Sequence, residues 1–415
     1  MNFRRSLLAA SMIALLLVTQ MAQAQEPAFP YRLVGYYTAY SITATPPYFV
    51  TDIPVDHLTH LNYYAIDISQ NGQCVSTDPW ADTQFPYPGD KTTERLRGNF
   101  KQLQLLKKGH PDLKILMTIG GWDQSKYFSD VAATHNARIR FANSCIVFMR
   151  QYGFDGIDID WRYPISGGKD GNTNRPEDSA NFTLLMAELR DQLDYWSGQD
   201  TKQYLLTMAV APTHYPNYEL AQLQTYVDWI NLMSYGFEGD WSKVAGPYSP
   251  LYGSSKDPRG DKARAENSVS GAVTECLDFG VPADKIVLGV GLYGQAWSSV
   301  KPGNLFGMYQ PVQGVPAGTR PGGILYYRDL IPLLSSTNYI RYFDDETRTP
   351  WLYSQGNRVA ISYEDQESIR NKAAYVGSTG LGGMSLWELG FDDSAHSLVD
   401  AAYTGLESTI ATPTP

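Results

Sequence analysis

The sequence predicts an α/β chain folded as a (β/α)8 TIM barrel, with a small α+β insertion between strands seven and eight. Three observations carry that expectation. Eight apolar, strand-like runs recur along the 415 residues. Between most of them lie amphipathic stretches with apolar residues at three- and four-residue steps, the spacing of a helix face. One gap, 298–360, breaks the alternation with glycines, prolines and short extended runs. Strand-then-helix repeats call for a parallel sheet, because parallel neighbours need a crossover connection, and eight repeats close it into a barrel.

Taken in order, the chain opens with Arg4 and Arg5, an apolar run over 7–18, and Ala22-Gln23-Ala24. That is the pattern of an export signal cut after Ala24. The run is shorter than the roughly 20 apolar residues that span a bilayer. No later run is long and apolar enough to do so, so the expectation is a secreted or periplasmic protein with no membrane association after cleavage. Residues 1–24 are then a signal peptide, 25–404 the barrel, 298–360 the insertion within it, and 405–415 a disordered tail ending in Thr-Pro repeats.

The strands are expected at 33–37, 58–66, 114–119, 154–160, 204–210, 227–234, 286–293 and 380–387. Helices are expected over 94–108, 136–152, 176–196, 265–279 and 367–376, with Asp178 capping the third and Gly280 ending the fourth. A loop as long as 298–360 is rarely structureless, which is why an α+β module is expected there.

Composition narrows the function. Asp plus Glu (43) exceed Lys plus Arg (33), and the net charge of −10 opposes binding to a phosphate backbone, so no nucleic acid partner is expected. With 43% hydrophobic and 18% charged residues the chain has the makings of a core rather than of a disordered polymer. Its 29 tyrosines and 9 tryptophans suit a surface that stacks on flat apolar faces and hydrogen-bonds around them. Cys74, Cys145 and Cys276 have no CxxC spacing; they permit at most one bridge, and Cys145 reads as a buried thiol on a helix. His57 and His60 are three apart but stand where the second strand begins, so no metal and no cofactor are implied. Nothing in the sequence specifies an oligomeric state.

Chemistry in such barrels sits where strands end at the C-terminal face. The fourth strand reads Phe154-Asp155-Gly156-Ile157-Asp158-Ile159-Asp160-Trp161-Arg162-Tyr163-Pro164, and alternation puts Asp158, Asp160 and Arg162 on one face. Two carboxylates one strand step apart repel, which raises the pKa of one of them.

With this segment the chain resembles glycoside hydrolase family 18, in particular bacterial chitinases, over Arg32 to Tyr403. The matching motifs are Gly120-Gly121-Trp122, Asp155-Gly156-Ile157-Asp158-Ile159-Asp160-Trp161, Asn231-Leu232-Met233-Ser234-Tyr235, Leu288-Gly289-Val290 with Tyr293-Gly294, and Gly382-Gly383-Met384 with Trp387-Glu388. The resemblance implies the same barrel and insertion, and a retaining, substrate-assisted hydrolysis in which the sugar's own 2-acetamido carbonyl attacks the anomeric carbon. It implies that Asp160 orients the acetamide, that Asp158 shares a proton behind it, and that Tyr235 hydrogen-bonds the acetyl oxygen. Trp387 forms the floor, with Tyr36, Trp122, Met233 and Tyr293 along the cleft. The implied partner is chitin or its oligosaccharides.

The family's proton-donating Glu follows Asp-Trp, and here that position is Arg162. A guanidinium stays charged at any working pH and cannot act as the acid. Gly236 and Gln295 stand where the family usually has Asp and Arg, and Tyr63-Tyr64-Ala65 lacks a common Phe. The resulting expectation is a chitinase-like protein that binds chitin with lost or impaired hydrolysis. Two other readings stand beside it: an active chitinase with a relocated acid at Glu238, which follows the sixth strand, and a barrel used as an interaction or inhibitor scaffold.

Overall fold

The computed structural model describes residues 29–410. The expected signal peptide, 1–24, and residues 411–415 lie outside them. In chain order the strands are β1 (Arg32–Thr38), β2 (His60–Ile68), β3 (Cys74–Ser76), β4 (Lys114–Gly120), β5 (Gly156–Asp160), β6 (Leu205–Val210) and β7 (Trp229–Leu232). They continue as β8 (Ile286–Gly291), β9 (Tyr293–Trp297), β10 (Ile324–Tyr326), β11 (Ile340–Asp344), β12 (Thr349–Ser354), β13 (Val359–Ser362) and β14 (Gly383–Trp387).

Eight of these form a closed parallel barrel in the order β1, β2, β4, β5, β6, β7, β8 and β14, with β14 pairing back to β1. β3 folds back antiparallel on β2 outside the ring. The eight expected runs correspond to the eight barrel strands. Each is buried on both faces, inward by neighbouring strands and outward by helices, so its sequence reads as a continuous apolar run.

The helices form close to their expected positions: Gly98–Gly109, His135–Tyr152, Asp178–Asp200, Val269–Asp278 and Gln366–Thr379. Gly280, at φ +89°, ends the fourth of these in a conformation that costs glycine little. That helix is shorter than expected, because a separate turn of helix, Asp261–Glu266, precedes it. Asp178 is not a cap residue: Glu177 occupies that position. The Asp178 carboxylate instead accepts from Arg175 N and from Ser129 Oγ, both at 2.7 Å, and so ties the loop to the helix start.

The insertion is a five-stranded antiparallel sheet in the order β10, β9, β13, β12, β11, with one helix, Tyr327–Leu334. It extends beyond 298–360, because β9 and β13 supply its central strands. The tail expected from 405 is helical as far as Ile410, since Leu406 is buried in the helix Ser397–Ile410 and continues its apolar face. Cys145 is not a free thiol. It bonds to Cys74, tying the helix His135–Tyr152 to β3, and Cys276 stays free and buried.

Candidate active site

The loops that follow β4, β5, β7 and β14 gather the fourth-strand acids and their neighbours at one end of the barrel. Asp158 is fully buried near the end of β5. Its carboxylate accepts from Tyr36 Oη at 3.1 Å, Thr118 Oγ1 at 3.0 Å, Thr207 Oγ1 at 2.6 Å and Asn231 Nδ2 at 3.1 Å. The flanking threonines stand in register with it, Thr118 on β4 and Thr207 on β6. No cation is among these donors. Burial pushes Asp158 up to about 6 against the opposing pull of the Thr207 hydroxyl, with the adjacent Asp160 adding to the rise and Thr118 and Tyr36 reducing it.

Asp160, one strand step further on, has the opposite kind of partner. Arg162 Nε lies 2.9 Å from Oδ1 and 3.1 Å from Oδ2, and Nη2 lies 2.8 Å from Oδ2. This is a two-pronged, charge-assisted pair, about twice as strong as neutral hydrogen bonds. The Arg162 backbone is held too, its N–H donating to Ser125 Oγ at 2.9 Å and its carbonyl accepting from Asn172 Nδ2 at 3.0 Å. Burial lowers the guanidinium's pKa, but Asp160 raises it more, and the net shift is upward.

Around this pair lies a narrow cavity lined by Tyr36, Asp160, Arg162, Met233, Tyr235 and Trp387, with Asn231 and Ser385 deeper in. Trp387 packs on Tyr36, centroids 5.5 Å apart, and edge-on against Tyr64 at 4.7 Å. Tyr235 and Tyr293 meet edge to face at 6.2 Å. Burial raises the pKa of both Tyr36 and Tyr235 well above the ordinary tyrosine value. The lining's only carboxylic acid is Asp160, and Arg162 pairs with both of its oxygens.

Trp122 is 46% exposed on the loop after β4 and does not line this cavity. Trp161 faces away into the core, stacked on Phe128 at 5.3 Å. Glu238 also lies off the lining. It is 3% exposed, ion-paired with Arg259, and accepts from Ser242 Oγ at 2.6 Å. Gln295 is buried on β9, where Nε2 donates to the Gly322 carbonyl at 2.7 Å. Among the described residues no group of three or more His, Cys, Asp and Glu side chains could hold a metal ion.

Reasoning from the sequence did not anticipate Thr118, Thr207, Asn231 or Ser125 as holders of the acids. A signal was present: each of the first three is a polar residue within an apolar barrel strand, and a buried polar side chain needs a partner. Glu388, beside Trp387, was also missed as a functional group. It is buried with three hydroxyl donors, Tyr40, Thr38 and Ser41.

Comparison with known proteins gives this site its context. The model of the glycosyl hydrolases family 18 matches residues 32–392. Chitinase A1 of Niallia circulans is 40% identical over 88% of this chain, and the matched chain spans 57% of that protein. Endochitinase 1 of Metarhizium robertsii is 32% identical over 82% of this chain and 77% of its own length. Among solved structures, chitinase ChiA74 from Bacillus thuringiensis superposes with a TM-score of 0.86 at 33% identity, covering 93% of this chain and 70% of that one. The Ostrinia furnacalis Group IV chitinase in complex with allosamidin gives 0.81 at 28% identity, covering 91% and 99%. The match runs from β1 past β14, across the whole barrel and its insertion, and the chain belongs to glycosyl hydrolase family 18.

Proposed function

We propose that this chitinase-like barrel binds chitin or N-acetylglucosamine oligosaccharides and has lost most or all of the ability to hydrolyse them. The observation that carries the reading is the state of Arg162. The motif resemblance puts it at the position of the family's acid, and its guanidinium grips both oxygens of Asp160.

Cleaving a glycosidic bond requires a proton for the departing oxygen. Apart from the Asp160 carboxyl, which Arg162 engages, the protic groups of the lining are a guanidinium, tyrosines with raised pKa, an amide, a serine and an indole, none of which is acidic near neutrality. General acid catalysis typically contributes about 10²- to 10⁴-fold, and that factor is absent. Asp160 is compromised as well, because turning toward an acetamide means leaving two charge-assisted bonds.

Glu238 does not supply the missing acid. Burial raises its pKa, but Arg259 and Ser242 engage its carboxylate away from the cavity. Stacking groups remain in Tyr36, Trp387 and the exposed Trp122, which supports a sugar ligand. The leader-like segment 1–24 supports a setting outside the cell for that ligand.

The test is co-sedimentation of purified protein with colloidal chitin, with product analysis of the same suspension after long incubation. The expected result is a bound fraction that saturates with chitin while soluble oligosaccharides stay at the level of the buffer control. Rapid, stoichiometry-exceeding release of chito-oligosaccharides would overturn the loss of hydrolysis, and protein remaining wholly in the supernatant would overturn binding.

A further inference from the structure

The cavity over Trp387 ends before it reaches Trp122. Its volume is about 10 Å³, about enough for one water molecule. Neither Tyr64 nor Trp122 is on its lining. The Tyr64 ring stands between Trp387 and the loop that carries Trp122. It is 8% exposed and meets Trp387 edge-on, with centroids 4.7 Å apart. Its far end lies against Gly121, where a Cβ would overlap the Tyr64 hydroxyl and the ring carbon that bears it. Gly121 has φ +100°, so the close approach and the backbone both call for glycine.

The strand sets this direction. Tyr64 on β2 is in register with Thr118 on β4, and residues in register on parallel neighbours share a face. Thr118 reaches Asp158 inside the barrel, so Tyr64 points inward too. The segment Tyr63-Tyr64-Ala65, which lacks the common Phe, thereby puts a phenol into the mouth. The same frame that holds Arg162 holds this phenol. The Gly121 N–H donates to the Asp160 carbonyl at 2.7 Å. Ser125 Oγ donates to the Gly121 carbonyl at 2.7 Å and accepts from the Arg162 N–H at 2.9 Å. Burial raises the Tyr64 pKa, while Arg162 and a hydrogen bond with the Trp122 backbone pull it down. Cation and phenol close adjacent parts of one passage, Arg162 over Asp160 and Tyr64 between Gly121 and Trp387.

Resting on the binding function proposed above, we infer that Tyr64 is a specificity-determining residue. Its phenol is the second half of a plug, with Arg162 the first, and it keeps a chito-oligosaccharide that reaches Trp122 from continuing onto Trp387.

Titration calorimetry with chitohexaose tests this as a double-mutant cycle. Tyr64→Ala should bind the hexaose at least tenfold tighter than wild type. Trp387→Ala should abolish that gain when added to Tyr64→Ala, yet change wild-type affinity less than threefold, because the closed passage leaves Trp387 out of reach. Should Tyr64→Ala not fold, Tyr64→Val carries the same expectation. In the Arg162→Glu background, Tyr64→Ala should lower KM for a fluorogenic chitobioside at least tenfold with kcat within threefold, the sign of opened space rather than altered chemistry. Equal or weaker binding by Tyr64→Ala, a tenfold loss from Trp387→Ala in the wild type, or an unchanged KM would overturn the plug and leave the binding function standing. No binding of the hexaose by wild type or by Tyr64→Ala would overturn both.

Discussion

Two ends of one short strand hold their carboxylates by different means. Before β5 begins, Asp155 is 2% exposed and meets Lys107 Nζ at 2.8 Å, Lys202 Nζ at 2.7 Å and the Ile115 N–H at 2.8 Å. Burial pushes its pKa up, but the Ile115 N–H and the two lysines outweigh that, and the carboxyl is held below its ordinary value. Near the other end Asp158, equally buried, has only hydroxyl and amide donors and rises to about 6. Hydrogen bonds satisfy both groups; Asp155 adds two lysines to its backbone N–H donor and falls below its ordinary value, whereas Asp158, with neutral side-chain donors and Asp160 beside it, stays above. At the barrel mouth Asp160 has a cation partner as Asp155 does, Arg162, which contacts both of its oxygens.

The comparison can be broken from either end. The largest expected effect is at the base. Asp155→Ala strands two partly buried lysines and a buried N–H, and should cost about 4 kcal/mol of stability in urea unfolding. A loss below about 1 kcal/mol would mean that the lysines are satisfied by solvent and the charge pairing there is incidental.

The next concerns the sign of the pH dependence. Folded Asp158 binds its proton more tightly than the unfolded chain does, so between about pH 4 and pH 6 unfolding releases a proton and stability falls as pH rises. From the ordinary value of 3.8 to about 6 the loss is roughly 3 kcal/mol. Asp82, Glu388 and Asp392, each raised to about 7 chiefly by burial, add slopes of the same sign. The difference between wild type and Asp158→Asn isolates the first contribution: the variant's stability should be flatter across that window. Parallel curves would place Asp158 with Asp155, ionised throughout.

The barrel was legible because its rule is local. Each strand, buried on both faces, announces itself as an apolar run, and Gly280 marks a helix end by a conformation that a single residue decides. The acids of β5 were legible by alternation and by the motif around them. What the sequence hid depends on distant segments meeting. The Cys74–Cys145 bridge joins residues 71 apart, and Arg259 finds Glu238 from a loop that no periodicity describes. A cavity of about 310 Å³ combines side chains from 40–48, 319–328 and 388–391, so Glu388 could be read as a motif residue but not as a buried carboxylate on that cavity's wall. Asp178 shows the reverse error, a plausible cap whose carboxylate serves the preceding loop instead.

The account stands most directly on one measurement, the hydrolysis rate of a fluorogenic chitobioside by wild-type protein and by Arg162→Glu, over a range of pH. The substitution replaces a cation that cannot donate a proton with a carboxyl that can, and at the same time releases Asp160. The account predicts that the wild type stays at the uncatalysed background while the variant gains turnover, at least about 10²-fold above it, with activity falling as the new acid ionises. Wild-type turnover equal to or above that of Arg162→Glu, with a pH profile requiring an acid of its own, would contradict it.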